Sequence, residues 1–249
     1  MIKKSSKIMS FIFAIMLIIP IAFLLTACSG GGATSSNILF NSNFENGNAG
    51  VFTAAENVEI TDNDDSTITI GKAIQKGAFI KFETKEIVTT WNREGYTTSI
   101  TFYIDLTTIG HGELFEITSA VNGKDNKYLT ESVVTFQKVN DKMTIAAWDG
   151  SSKSLVNETI NTSGWYTLDQ SFYGKAGQLF VDIKIINEDN KTVLISTGKL
   201  NHVEYGTENS ETWHNGCSEE LIKDMRYIWI CNQQLKNGLT IKNVQLLKN

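Results

Sequence analysis

The chain has 249 residues, of which 41% are hydrophobic and 20% are charged, and its formal net charge is −5. This balance lacks the basic excess that nucleic acids or anionic lipids attract, so no nucleic-acid partner is expected. Beyond the first 37 residues roughly 210 remain, enough for one large β domain.

The first 27 residues predict an export signal. Three lysines precede an almost wholly apolar run over residues 8–25, and no acidic residue occurs before Cys28. A positive start, an apolar core and small residues at the end are typical of a secretory signal peptide. The alternative is an uncleaved transmembrane helix, because about 18 apolar residues can span a bilayer. Pro20 and the small residues before Cys28 favour cleavage.

The end of this segment, LTAC at residues 25–28, resembles the lipobox of bacterial lipoproteins. The resemblance implies that the Cys28 sulfur carries a diacylglyceryl group, and that cleavage leaves Cys28 as a new amino end, acylated by a fatty acid such as palmitate. One acyl chain anchors a protein only marginally, at ~0.8 kcal/mol per buried methylene, so two are needed. We therefore expect an exported protein, anchored to a membrane by lipid, on the cell surface or facing the periplasm.

Cleavage would leave 222 residues with a net charge of −8, because residues 1–27 carry three lysines and no acid. The stretch SGGGATSS then predicts a flexible tether over residues 28–37. The expected organisation is a signal at 1–27, a tether at 28–37 and one domain at 38–249.

From residue 38 onward the chain is predicted to be all-β. Apolar and polar residues alternate over residues 100–106 and 179–185, which gives each strand one buried face. Clusters of Gly, Asn and Asp separate many short strands, as in a sandwich or barrel. Further strands are predicted at 58–61, 67–70, 79–84, 132–138, 143–148, 155–160, 166–173, 192–197, 226–231 and 239–247.

One short helix is predicted near the carboxyl end, at residues 218–225 (SEELIKDM). Ser218 can cap its first turn, and Glu219 and Glu220 favour the positive end of a helix.

The stretch NSNFENG at residues 41–47 resembles the opening strand of many carbohydrate-binding jelly rolls. Together with residues 95–106, 163–185 and 226–246, it is similar to exported bacterial domains of the concanavalin A-like type. The resemblance implies an antiparallel two-sheet jelly-roll sandwich over most of residues 38–249, and it implies fold far more than function.

Cys217 and Cys231 are predicted to form a disulfide, because disulfides persist outside the cell. Their loop of about fifteen residues would add ~3 kcal/mol in the chain-entropy model. Two reduced, buried thiols are the alternative, and the spacing lacks the second ligand pair of a zinc site.

Aromatic residues in polar or outward positions are the candidate ligand contacts, because sugars stack on flat rings and bond to polar side chains. Trp165 is expected in the core instead. Tyr227 and Trp229 would line an open face if Ile228 and Ile230 face the core, and would be core themselves if they do not. The candidates are Trp91, Trp148, Trp213, His214, Tyr227 and Trp229.

The sequence predicts no catalytic site. Glycosidases need two carboxyl groups across the scissile bond, and the pair Glu113 and Glu116 would lie on opposite faces of a strand. No serine-hydrolase, zinc-protease or phosphate-loop motif is present, and the three histidines are isolated.

The acidic cluster formed by Asp62, Asp64 and Asp65 is a weak candidate for structural calcium, which takes oxygen ligands. A plain hairpin turn is its alternative, and no other metal or cofactor is expected.

These features favour a surface lipoprotein whose sandwich binds a ligand, expected to be carbohydrate, without catalysis. The alternatives are an envelope adhesion protein that binds other proteins, and a glycoside hydrolase or lyase with an unfamiliar site. A transporter's solute-binding protein is disfavoured, since the chain lacks βα alternation.

Overall fold

A computed structural model describes residues 37–45, 52–54, 58–71, 78–80, 87–88, 95–122, 128–148, 154–175, 178–200, 220–221, 228–231 and 234–249. All of them belong to one compact unit, residues 33–249. For several strand residues, Trp148 among them, the backbone alone is described. The predicted signal, Cys28 and nearly all of the tether lie outside the described residues.

The described residues form strands that pair antiparallel throughout. In chain order the strands are β1 Ile38–Ser42, β2 Phe52–Ala54, β3 Ile60–Asp62, β4 Ile68–Ile70, β5 Ala78–Ile80, β6 Ile87–Val88, β7 Tyr96–Ile104, β8 Leu114–Asn122, β9 Tyr128–Val139, β10 Lys142–Trp148, β11 Ser154–Ile160, β12 Gly164–Lys175, β13 Gln178–Asn187, β14 Thr192–Lys199, β15 Glu220–Leu221, β16 Ile228–Cys231 and β17 Leu239–Lys248.

Two large sheets make up the sandwich. Sheet A has the order β14-β13-β12-β7-β17-β4-β3, and β1 pairs with β17 in addition. Sheet B has the order β11-β10-β9-β8-β16-β5-β2, and β15 pairs with β6 in a separate small ribbon. The predicted all-β, antiparallel two-sheet architecture is confirmed.

Alternation of side chains explains why these strands pack as two layers. In β13, Leu179, Val181 and Ile183 are fully buried, while Asp182 and Lys184 between them face outward. β7 and β12 follow the same period of two, so each strand gives one face to the core.

Aromatic rings join the two layers at the centre of the core. Phe102 of sheet A lies 5.5 Å from Phe115 and 5.1 Å from Phe136 of sheet B, both edge to face. Phe115 and Phe136 stack with their centroids 4.7 Å apart. Such contacts add about 0.5–1.5 kcal/mol per pair beyond the buried area.

Buried polar residues also cross between the sheets, and each has a partner. The Gln170 amide in β12 donates to the Ser132 carbonyl in β9 at 3.0 Å. The Tyr96 hydroxyl in β7 donates to the Ala120 carbonyl in β8 at 2.7 Å. Because a buried polar group without a partner destabilises the fold, these bonds favour one alignment of the two sheets.

The predicted helix at residues 218–225 is wrong where the structure describes it. Glu220 and Leu221 form β15, which pairs with Val88 and Ile87 of β6. A segment of eight residues is too short to hold a helix by propensity alone, so pairing with a neighbouring strand decides its backbone. The remaining residues of this segment lie outside the described part of the chain.

The central strand β8 was not predicted, although Phe115, Ile117 and Val121 alternate along it and are buried. Within the described residues, no helix has the length and apolar character needed to cross a bilayer.

Two glycines allow a sharp test of backbone packing. Gly95 and Gly112 both have left-handed backbones, with φ of 79° and 83°. A Cβ on Gly95 would collide with the Phe172 carbonyl oxygen, whereas nothing lies within 4 Å of one on Gly112. Gly112→Ala should lower the free energy of unfolding by ~1–2 kcal/mol, the cost of a left-handed backbone. Gly95→Ala should lower it by the same amount plus ~1–3 kcal/mol for the clash. Urea unfolding followed by far-ultraviolet circular dichroism measures both, and equal losses would contradict the clash.

Candidate ligand-binding site

A pocket of about 270 Å³ lies where β7 and β17 meet the loops at one end of sheet A. This volume is just below the usual range for ligand pockets, ~300–1,000 Å³. The pocket is lined by Tyr103, Asp105, Thr108, Ile109, Glu113, Leu235, Asn237, Gly238 and Thr240.

The loop after β7 is shaped by the Asp105 carboxylate. Its Oδ1 atom accepts hydrogen bonds from the Thr107 hydroxyl at 2.6 Å and the Thr107 backbone N–H at 2.9 Å. These bonds, the hydroxyl's first, hold the pKa of Asp105 below its ordinary value. The pocket therefore carries a negative charge at neutral pH.

A buried lysine fastens the same loop to sheet B. Lys138 of β9 is 5% exposed, and its Nζ donates to the Leu106 carbonyl at 2.6 Å. Its backbone N–H donates to the Glu113 carbonyl at 2.9 Å, and its carbonyl accepts from the Gly112 N–H at 2.8 Å. These three bonds fix the loop that carries the polar wall of the pocket.

Glu113 supplies the second carboxylate of the pocket. Its side chain is 10% exposed and one oxygen lies 3.6 Å from Nζ of Lys236, which is 80% exposed. Asn237 and Thr240 add an amide and a hydroxyl to the lining. The pocket thus offers both donors and acceptors to a polar ligand.

One aromatic residue, Tyr103, lines the pocket, and Trp165 packs against it from outside. Tyr103 is 37% exposed, and its ring makes an edge contact with Trp165, centroid to centroid 5.2 Å. Lys242 places its Nζ 5.5 Å from the centre of the Trp165 ring, a cation–π contact. The expectation that Trp165 is core is wrong, because Tyr166 and Leu168 occupy the inward positions of β12.

Two predicted aromatic contacts belong to sheet B instead. Ile228 and Ile230 are buried in the core, so Trp229 takes the outer face of β16, where it is half-buried. In register, Trp229 is opposite Thr118, Thr118 is opposite Val133, and Val133 is opposite Trp148. Trp148 and Trp229 therefore share one cross-strand row, away from the pocket. The candidates outside the described residues are Trp91, Trp213, His214 and Tyr227.

The proposed disulfide stays a prediction. Cys217 lies outside the described residues, and no disulfide occurs within them. Cys231 is buried in β16 opposite Glu116. As a thiol, its pKa is raised to about 11, first by burial and then by the Glu116 charge.

The acidic cluster at Asp62, Asp64 and Asp65 forms the turn of the β3–β4 hairpin. The Asp65 carboxylate accepts from the Thr67 hydroxyl at 2.6 Å, and the Asn63 amide donates to the same hydroxyl oxygen at 2.8 Å. The described part of the chain contains no group of three or more His, Cys, Asp or Glu placed to hold a metal ion. Calcium at this turn stays a prediction.

Sequence reasoning missed the pocket. Tyr103 is an ordinary outward residue of β7, and Asp105 and Asn237 are in separate turns 132 residues apart. The available signals were the Asp-x-Thr turn after a strand and the Asn-Gly turn before one.

Another carboxylate, outside the pocket, lies at the centre of the outer face of sheet A. Asp169 of β12 is opposite Ser99 of β7 and Lys184 of β13. Burial raises the pKa of Asp169, and the Ser99 hydrogen bond and the Lys184 charge oppose that rise only in part. A carboxylate kept at this position lowers the stability of the fold when it is ionised.

Comparison with known proteins defines the fold. No protein-family model matches the chain, and no curated protein matches it in sequence. An endo-1,3-beta-glucanase from Streptomyces sioyaensis matches with a TM-score of 0.53 and 8% identity, over 88% of this chain and 99% of the glucanase.

Two lectins match comparably. The lectin from Bauhinia forficata, solved in complex with GalNAc, has a TM-score of 0.51 and 10% identity, over 84% of this chain and 97% of the lectin. Lectin II from Ulex europaeus has a TM-score of 0.50 and 11% identity, over the same shares. At these identities the likeness shows fold alone: an antiparallel jelly-roll sandwich of the concanavalin A-like type, as predicted.

The Asp169 charge predicts a pH-dependent change in stability. Folding raises the pKa of Asp169, so the folded state loses stability as the pH rises through that raised pKa. Below the pKa of the unfolded state, near 3.8, the carboxyl group is protonated in both states and the loss is absent. Asp169→Asn should therefore raise the free energy of unfolding at pH 7, and the gain should vanish near pH 3. Asp189→Asn, at a 68% exposed side chain, is the control and should change little at either pH. A gain that persists unchanged at pH 3 would refute the explanation.

Proposed function

We propose that the pocket at the end of sheet A binds a glycan without cleaving it. The observation that carries the proposal is the exposed Tyr103 ring beside a wall of carboxylate, amide and hydroxyl groups. A pyranose has a C–H face that packs on an aromatic ring, and hydroxyls that bond to acceptors and donors around it. The pocket, at about 270 Å³, is small enough to select a single ring.

The structural neighbours support a sugar ligand in a general way. One is named as a glucanase and two as lectins, so the fold serves both catalysis and simple binding in those proteins. The transfer of sugar binding to this chain rests on its own pocket, since fold alone does not define function.

The charges of the pocket favour binding over hydrolysis. A glycosidase needs one carboxyl group that stays protonated and acts as an acid. Asp105 has a lowered pKa, so it does not supply that acid. Hydrolysis is nevertheless the second candidate, because two carboxylates line one pocket. Product release from polysaccharides that is lost in Glu113→Gln would favour it.

A protein partner is less well supported on this side of the sandwich. The aromatic rings on the outer face of sheet A lie toward its ends, and its middle carries hydroxyl, amide and charged side chains, including Thr101, Thr167 and Gln245. The central part of a protein interface is usually depleted in charged groups and enriched in aromatic ones.

The location is proposed from the sequence. The lipobox-like LTAC segment supports a lipid anchor at Cys28, with the tether holding the sandwich clear of the membrane.

The lipid anchor predicts that cleavage of the signal and labelling with palmitate both depend on Cys28. Cys28→Ser removes the sulfur that would carry the diacylglyceryl group, so the signal should stay uncleaved and metabolic labelling with palmitate should disappear. Gel mobility and palmitate incorporation measure both effects. Cys217→Ser is the matched control and should be processed and labelled as the wild type is. Unchanged labelling of Cys28→Ser would refute the anchor.

The Tyr103 ring predicts a loss of affinity. Tyr103→Ala removes the stacking surface and should weaken glycan binding at least tenfold, about 1.4 kcal/mol. Tyr103→Phe keeps the ring and should stay within about threefold of wild type, less than 1 kcal/mol. A glycan array of plant, host and peptidoglycan sugars identifies the ligand, and calorimetry measures the affinities. Ile195→Ala, at a 69% exposed side chain on the edge strand β14, is the control. Wild type that binds no sugar, or Tyr103→Ala that binds equally well, would refute the proposal.

A further inference from the structure

We propose that the pocket is one end of a longer binding track, so that the ligand is a linear glycan of several units and not a single terminal sugar. This inference rests on the glycan-binding function proposed above. The track consists of the five outward residues of β12, namely Trp165, Thr167, Asp169, Ser171 and Tyr173, with the side chains that flank them on β7 and β13.

The length of the track follows from the strand itself. Trp165 and Tyr173 are eight residues apart on one face of β12, and a strand rises ~3.4 Å per residue, which gives ~27 Å. The neighbouring strands lie ~4.8 Å to each side, so the track is ~10 Å wide. A single sugar ring in the pocket does not reach Tyr173, whereas an extended chain of sugars matches these dimensions.

Each end of the track carries a pair of aromatic rings. At the pocket end, Trp165 contacts Tyr103. At the far end, Tyr173 stacks on Phe180 of β13, with centroids 5.7 Å apart and planes 15° from parallel. The Tyr173 hydroxyl donates to the Asp182 carboxylate at 3.1 Å, which fixes the ring in place. The two pairs place aromatic surface at both ends of the track, against which the C–H groups of a sugar can pack.

The middle of the track carries hydroxyl groups in cross-strand pairs. Thr101 and Thr167 lie 2.9 Å apart through their Oγ1 atoms, and Thr97 and Ser171 lie 2.6 Å apart through their hydroxyl oxygens. Each hydroxyl has one donor and two acceptor positions, so a pair that satisfies itself keeps capacity for a ligand.

A buried acceptor lies beside this middle section. Asn243 of β17 is in register with Thr101, and its Oδ1 atom is buried without a hydrogen-bond partner among the described residues. An unsatisfied buried acceptor is unfavourable, and a hydroxyl donor from a bound ligand would satisfy it once the Asn243 amide turns toward the surface.

Asp169 at the centre completes the track. The Asp169 carboxylate accepts a hydrogen bond from Ser99 of β7 and is attracted by Lys184 of β13, while Leu168 and Gln170 supply the inward contacts of this part of β12. A carboxylate accepts strong hydrogen bonds from hydroxyl donors. Its position midway between the aromatic pairs fits a sugar unit between the two that stack.

The test measures affinity against ligand length. The probes are glucose and N-acetylglucosamine, with linear oligomers of two to six units in three series: β-1,3-linked glucose, β-1,4-linked glucose and β-1,4-linked N-acetylglucosamine. Isothermal calorimetry with the full chain should show at least a tenfold rise in affinity from monomer to hexamer in the series that binds. Equal affinity for monomer and hexamer overturns the track.

Variants separate the track from the pocket. Tyr173→Ala should lose most of the gain with length and keep the monosaccharide affinity, whereas Tyr103→Ala should lose both. Tyr173→Phe keeps the ring and should retain the gain, and thermal unfolding confirms that each variant is folded. Hexamer binding unaffected in Tyr173→Ala overturns the track while the pocket stands. Binding in none of the series overturns the track, whereas the proposed function fails only if the wild type also binds no sugar on the glycan array.

Discussion

The contact between Phe102 of sheet A and the stacked Phe115 and Phe136 of sheet B determines which side chains are available for function. These rings lie at the centre of the core and fix the inward face of β7, β8 and β9. Because side chains alternate, that choice also fixes every outward residue of β7, including Tyr103. A slip of one residue would bring Phe102 to the surface and take Tyr103 into the core. The apolar packing of the core therefore determines which side chains line the pocket, although the core residues themselves contact no ligand.

Polar groups inside the sandwich support this alignment. Tyr96, Thr98 and Gln170 each make a hydrogen bond from sheet A to sheet B. A slip of β7 or β12 would leave these groups buried without partners, so the cost of a wrong register is paid by polar as well as apolar contacts. The pairs that face outward, such as Thr101 with Thr167, are positioned by the same register.

The fold was largely predictable from the sequence, whereas the site was not. The period of two is a local signal, and it placed β7 and β13 with their buried faces. The short segment at residues 218–225 has weak helix signals, and its pairing with Ile87 and Val88 depends on residues more than 130 positions away. The pocket likewise joins the turn at Asp105 to the turn at Asn237. Nothing in either turn alone indicates the other.

Trp165 shows why residue type alone is a poor guide to whether a single side chain is buried. A large aromatic residue at the start of a strand is expected in the core, but its neighbour Tyr166 takes the inward position and bonds through its hydroxyl to the Thr162 carbonyl at 2.8 Å. Alternation then leaves Trp165 outside, against Tyr103. Rings at the surface are costly unless something covers them.

Two charged groups lie at positions where an apolar residue would serve stability as well. Lys138 is buried beneath the pocket loop, and Asp169 is desolvated at the centre of the track. Replacing buried charges by apolar residues is often neutral or stabilising, so their presence is poorly explained by stability alone. Lys138 holds the Asp105 loop in its shape, and Asp169 faces the surface between two aromatic pairs. Lys138 reaches the pocket loop from β9 of sheet B, and Asp169 lies on the outer face of sheet A, so both groups are placed where a binding surface on that face would use them.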